Sequence, residues 1–76
     1  MIKVYCDVIG TGRKVEMFDP NTSIRACIEA CGFNAGRGMW TVNGATVNNI
    51  DVTFASLGKT DGDVYLSNLA KMDNNA

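Results

Sequence analysis

The sequence contains no histidine. Without it no Ser-His or Cys-His pair can activate a nucleophile near neutral pH, so the expectation is a chain with no catalytic residues and no enzymatic activity of its own. Charge of one sign is also missing: seven Lys and Arg are interspersed among eight Asp and Glu, for a net charge of −1. A chain that displaces counterions from nucleic-acid phosphates, or docks on an anionic bilayer, gathers its cations on one face, and no such cluster is visible here. No apolar run approaches the ~20 residues that span a bilayer, and no charged-then-apolar leader of the secretory type is present. These absences set the expectation of a cytoplasmic protein that binds neither nucleic acid nor membrane and whose partner is another protein.

Cysteine is sparse. Cys6, Cys27 and Cys31 are odd in number and form no C-x-x-C pair, which suits a reducing compartment better than a disulfide-stapled secreted scaffold. A structural zinc takes four ligands, so three thiols without histidine would need a carboxylate as well, and no metal or cofactor is expected. Cys27 and Cys31 lie four apart in "SIRACIEAC", where the β-carbons of a regular helix diverge too far for a bridge. All three thiols are expected to serve as small apolar core residues.

What the sequence does have is enough apolar material, 46% of 76 residues, for one small domain with a core. "MIKVYCDVI" alternates Ile2, Val4, Cys6 and Val8 against Lys3, Tyr5 and Asp7, the period of a half-buried strand. "GTG" at 10–12 supplies a tight reversal, and "KVEMF" resumes as a partner strand with Val15 and Met17 on one side; Phe18 breaks that alternation. "DPNTS" stops the strand, and Thr22 or Ser23 can cap a helix of about three turns. Its apolar stripe is Ile24, Cys27, Ile28 and Cys31, with Arg25 and Glu29 at i,i+4 spacing on the flank. Gly32 is placed to end it and Phe33 to pack back.

After the loop at 34–38, "MWTV" reads as a strand with Trp40 and Val42 on one face. Asn43-Gly44 carries the chemistry of a type I′ hairpin, since both central residues need positive φ, and Val47 returns on a short partner. "TFASLG" offers one helical turn, "TDGD" reverses the chain, and Val64 and Leu66 alternate with Tyr65 in the last strand. The domain is expected over 1–69, with a flexible polar tail over 70–76.

The initial "MIKV", the "DP" ahead of an isoleucine-led helix, the "VNG" hairpin, "TFASLG" and the final "DGDVYL" occur in an order and spacing that resembles the ubiquitin-like β-grasp family, including the small sulfur-carrier proteins. The resemblance covers residues 1 to about 69. It implies an α+β fold: a mixed four- to five-stranded sheet packed on one α-helix, with the first and last strands adjacent, parallel and central. Members that are conjugated or carry sulfur end in Gly-Gly, whose carboxylate is adenylated; this sequence ends Asn74-Asn75-Ala76, so neither activity is expected to carry over. Ala45 stands where ubiquitin has a chain-forming lysine, and Thr41 and Ser67 stand where it has two aliphatics of its binding patch.

The surface left for function is the open face of the sheet. Tyr5 and Tyr65 point away from the core by alternation, and Lys3, Glu16, Thr41 and Ser67 are expected to rim them. Tyrosine offers large contact area at small entropic cost, although it also favours strands for packing reasons alone. The leading expectation is a non-catalytic module, monomeric or weakly homo-oligomeric, that binds another protein through this face. The rivals are a carrier or accessory protein for an enzyme, which a Gly-Gly tail would normally serve, and a zinc-binding miniature domain. "GTGRK" lacks the spacing of a phosphate-binding loop and reads as a turn; "DGD" at 61–63 lacks the oxygen ligands of a calcium loop and reads as one too; Arg37 reads as a solvated loop charge.

Overall fold

The computed structural model describes residues 1–36 and 38–69, the last of these by its backbone alone. Arg37 and the tail over 70–76 lie outside the described residues. The described residues build an α+β domain: one five-stranded mixed sheet, one α-helix and one turn of 3-10 helix. The strands are β1 (Ile2–Val8), β2 (Gly12–Phe18), β3 (Met39–Val42), β4 (Ala45–Val47) and β5 (Gly62–Leu69), with α1 (Ile24–Ala30) between β2 and β3. Across the sheet the order is β2-β1-β5-β3-β4. The β1–β5 pair is parallel and the other pairs are antiparallel.

The apolar side of this sheet and the stripe of α1 make one core. Ile2, Val4 and Cys6 from β1, Val64 and Leu66 from β5, Trp40 and Val42 from β3, Ile24, Cys27 and Ile28 from the helix, Cys31 at its C-cap, and Phe54 are all buried. Trp40 places its indole in this layer and donates from Nε1 to the Ala35 carbonyl at 3.1 Å, so its one polar atom is satisfied.

The helix is two turns long, shorter than the spacing suggests, because both ends are fixed by neighbours. Ser23 Oγ accepts from the Ala26 N–H at 3.0 Å. The Ile24 and Arg25 N–H groups donate to the carbonyls of Val52 and Ile50 at 2.9 and 2.8 Å, so the free amides of the first turn are filled by the returning chain. At the other end Gly32, with φ +87°, turns the chain so that its N–H reaches Glu29 O and the Phe33 N–H reaches Ile28 O, the bond pair of a Schellman motif. Arg25 does not pair with Glu29. It holds Asp51 at 2.7 Å, which the 50–53 segment brings beside the helix start.

Both hairpins have the backbone signs their turns need. Asn43 and Gly44 have φ +50° and +87°, as a type I′ turn requires between Val42 and Ala45. Between β1 and β2 the turn is longer: Val8 faces Gly12 in register, Ile9, Gly10 and Thr11 form the loop, and the Thr11 N–H donates to Val8 O at 3.0 Å. The length of this loop decides what each face of β2 displays.

Candidate protein-interaction face

Helix α1 covers one side of the sheet, and among the described residues no element covers the other. In register across that open side run Val15 of β2, Tyr5 of β1 and Tyr65 of β5. Directly opposed residues on adjacent strands share a face, so these three side chains form one row. The tyrosine rings stack, with centroids 4.8 Å apart and planes inclined by 18°. Tyr65 is 51% exposed, and Tyr5 beside it is half-buried. The Lys3 ammonium lies 5.5 Å from the centre of the Tyr5 ring, near enough for a cation–π attraction.

The row below contains Met17, Lys3 and Asp63; the row above contains Arg13, Asp7, Ser67, Thr41 and Thr46. Met17 and Val15 are 54% and 44% exposed, so the apolar surface extends from the tyrosines to the sheet edge. Asp7 and Arg13 pair at 3.2 Å and close one side of it.

Of the six residues that the sequence assigns to this face, Lys3, Tyr5, Tyr65, Thr41 and Ser67 lie on it. Thr41 offers little, since it is 7% exposed and its hydroxyl donates a long 3.5 Å bond to the Ser67 carbonyl. Glu16 lies on the other side. It faces Val4 across the β1–β2 ladder, on the helix side of the sheet, and Val15 and Met17 take the outward positions instead. The physical reason is one residue of turn length. A two-residue loop at Gly10-Thr11 would set Glu16 opposite Tyr5, whereas the three-residue loop sets Val15 there, and a shift of one exchanges every side chain between faces. The ladder runs without a bulge from Gly12 to Phe18, so Phe18 reaches the helix side opposite Ile2 and packs on the core. The signal that could have found Val15 and Met17 is the loop length read from Gly12, whose φ of +135° suits a strand entry after a reversal.

The thiols form a second cluster, inside the core. Cys6 and Cys27 are fully buried and Cys31 is 4% exposed. Burial pushes the Cys6 thiol up to about 12 from an ordinary 9.0, aided by the nearby Cys31 and Asp7. Burial pushes Cys27 up as well, followed by the charge effects of Cys31 and Cys6. Cys31 is raised by burial and then by Glu16, with Cys27, Cys6 and Lys14 opposing. A thiol so held is protonated at neutral pH and therefore a poor nucleophile. Among the described residues no group of three or more Cys, Asp, Glu or His is arranged to hold a metal ion. Nor is any helix among them long and apolar enough to cross a membrane.

Comparison with protein-family models gives no match, and comparison with curated protein sequences gives none either.

Proposed function

We propose that this chain is a non-catalytic protein-interaction module of the ubiquitin-like β-grasp type, which engages an apolar surface of a partner protein through its open sheet face. The β-grasp reading is supported by the strand order β2-β1-β5-β3-β4, the parallel central pair β1–β5, and the placement of helix α1 between β2 and β3. The interaction reading rests on one observation: the stacked Tyr5–Tyr65 pair stands at the centre of an uncovered face and continues through Val15 to Met17 at its edge. Aromatic and Met side chains are enriched where proteins meet, and a contiguous exposed apolar strip on a small soluble domain marks such a site. Lys3, Asp63 and the Asp7–Arg13 pair supply a rim of mixed charge that orients a partner without selecting an anion.

The test pairs capture with reconstitution. Proteins retained by the wild-type chain are purified and titrated back against it, with amide chemical shifts followed by NMR. Shifts concentrated on β1, β2 and β5, and loss of binding in a Tyr5→Ser/Tyr65→Ser variant that keeps its far-ultraviolet circular dichroism, are expected. Undiminished binding by that variant would remove this face from consideration.

A further inference from the structure

The sheet has two edges, and they are not alike. β4 is three residues long, too short to template another strand, whereas β2 presents seven residues without proline or bulge. Among the described residues, the hydrogen-bond pattern shows which of its backbone groups turn outward. The Asn43 N–H donates to the Tyr65 carbonyl at 2.7 Å and the Tyr65 N–H donates to Asn43 Oδ1 at 2.8 Å, so Tyr65 turns its main-chain groups away from β1. Successive residues of a strand alternate in this respect, so Val64 and Leu66 bond to β1, and the residue in register that receives them is Tyr5. Tyr5 therefore faces away from β2, and its partner Val15 points its own N–H and C=O off the sheet, together with those of Arg13 and Met17.

From this pattern we infer that β2 pairs with β2 of a second copy, antiparallel and centred on Val15, to give a two-fold dimer with a continuous sheet. In that register Arg13 faces the partner's Met17 and Val15 faces the partner's Val15, so every outward-turned backbone group meets its counterpart. The side chains select the same register. On the helix side Lys14 falls opposite Glu16 of the second copy, twice by symmetry, and opposite charges directly across a ladder attract. Sliding the pairing by one step that preserves the backbone bonds sets Lys14 against Lys14, or in the other direction Glu16 against Glu16. Charges on an edge strand ordinarily discourage pairing. Here the same charges oppose the neighbouring registers and favour one. On the outer face the row Tyr65–Tyr5–Val15 continues into its symmetry copy, doubling the apolar strip, and the pairing holds whether or not a foreign protein also binds that strip.

Sedimentation equilibrium of the full chain over about 10 µM to 1 mM reads the result. The expected mass rises with concentration from the monomer's 8.2 kDa toward twice that value. Lys14→Glu and Glu16→Lys each convert both symmetric pairs from attraction to repulsion, and each is expected to weaken association roughly thirtyfold. An equimolar mixture of the two variants, and the double variant K14E/E16K, restore opposite charges and recover the wild-type constant. Both positions are exposed, and unchanged circular dichroism verifies the fold of each variant. A mass of 8.2 kDa throughout, single variants that associate like wild type, or failure of the mixture or the double variant to recover would each overturn the pairing.

Discussion

Raising the pH should unfold this protein through its buried thiols, and the size of the effect follows from their burial. Cys6 ionises near 9.0 in the unfolded chain and only at about 12 in the folded one. Below the lower value both states keep the proton and the core loses nothing. Above it the unfolded chain releases a proton that the folded chain retains, so the unfolded state binds fewer protons and stability falls as the pH rises toward the folded value. From about pH 8 to pH 10 each thiol that stays protonated in the core costs ~1.4 kcal/mol. Cys27, pushed up by the same burial, adds a like amount, so the pair removes ~3 kcal/mol. A domain of this size holds only ~4–11 kcal/mol, so between about a quarter and three-quarters of its margin disappears within two pH units. Urea titrations under reducing conditions, read by the fluorescence of buried Trp40, supply the stability at each pH. Cys27→Ala should lower stability at pH 7 and make its decline with pH shallower by ~1.4 kcal/mol over the same interval. A urea midpoint that does not move between pH 8 and pH 10 in the reduced wild type would refute the buried protonated cluster.

Two further outcomes follow from the same structure. A chromogenic disulfide reagent should label the native thiols at least ~1,000-fold more slowly than the urea-unfolded chain, because reaction needs both a thiolate and an opening of the core; any of the three reacting within tenfold of its unfolded rate contradicts the burial seen at Cys6, Cys27 and Cys31. Ser23→Ala removes the side-chain acceptor of the Ala26 N–H and should cost ~1 kcal/mol in urea unfolding, with an undetectable change arguing against the cap.

The helix and the two central strands were legible because their signals are local and mutually consistent. Ile24, Cys27, Ile28 and Cys31 mark one stripe, Ser23 and Gly32 bound it, and the apolar alternation of β1 and β5 can only face that stripe. The open face was legible in part for the same reason: once Val4 and Val64 are inside, Tyr5 and Tyr65 are outside. β2 was legible as a strand hairpinned to β1, but its facing was not, since its pattern is inverted relative to the rest of the sheet. Val15 and Met17 face solvent, while Lys14 and Glu16 lie on the helix side and remain exposed at the sheet margin. Hydrophobicity alone assigns the apolar pair to the core, and only the loop between Val8 and Gly12 fixes the register that overrules it. The Arg25–Asp51 pair was hidden for a different reason, being made by a segment 26 residues away that no local spacing anticipates.

That inversion separates the two surfaces proposed for this chain and lets each be tested without disturbing the other. An edge strand has one side chain row on each face of the sheet and its backbone groups in the plane between them, so three kinds of contact diverge from β2. Val15 and Met17 extend the tyrosine face, Lys14 and Glu16 govern register on the opposite side, and the outward-turned N–H and C=O groups carry the pairing itself. Charge exchange at Lys14 and Glu16 leaves Tyr5 and Tyr65 stacked, and serine at the two tyrosines leaves the charges and the edge backbone in place. Partner binding that survives charge exchange but fails in the tyrosine variant assigns capture to the face of one monomer. Binding that falls with dimerisation in the charge variants, and returns when the complementary variants are mixed, requires instead the doubled strip that runs across two copies, with Val15 at its centre.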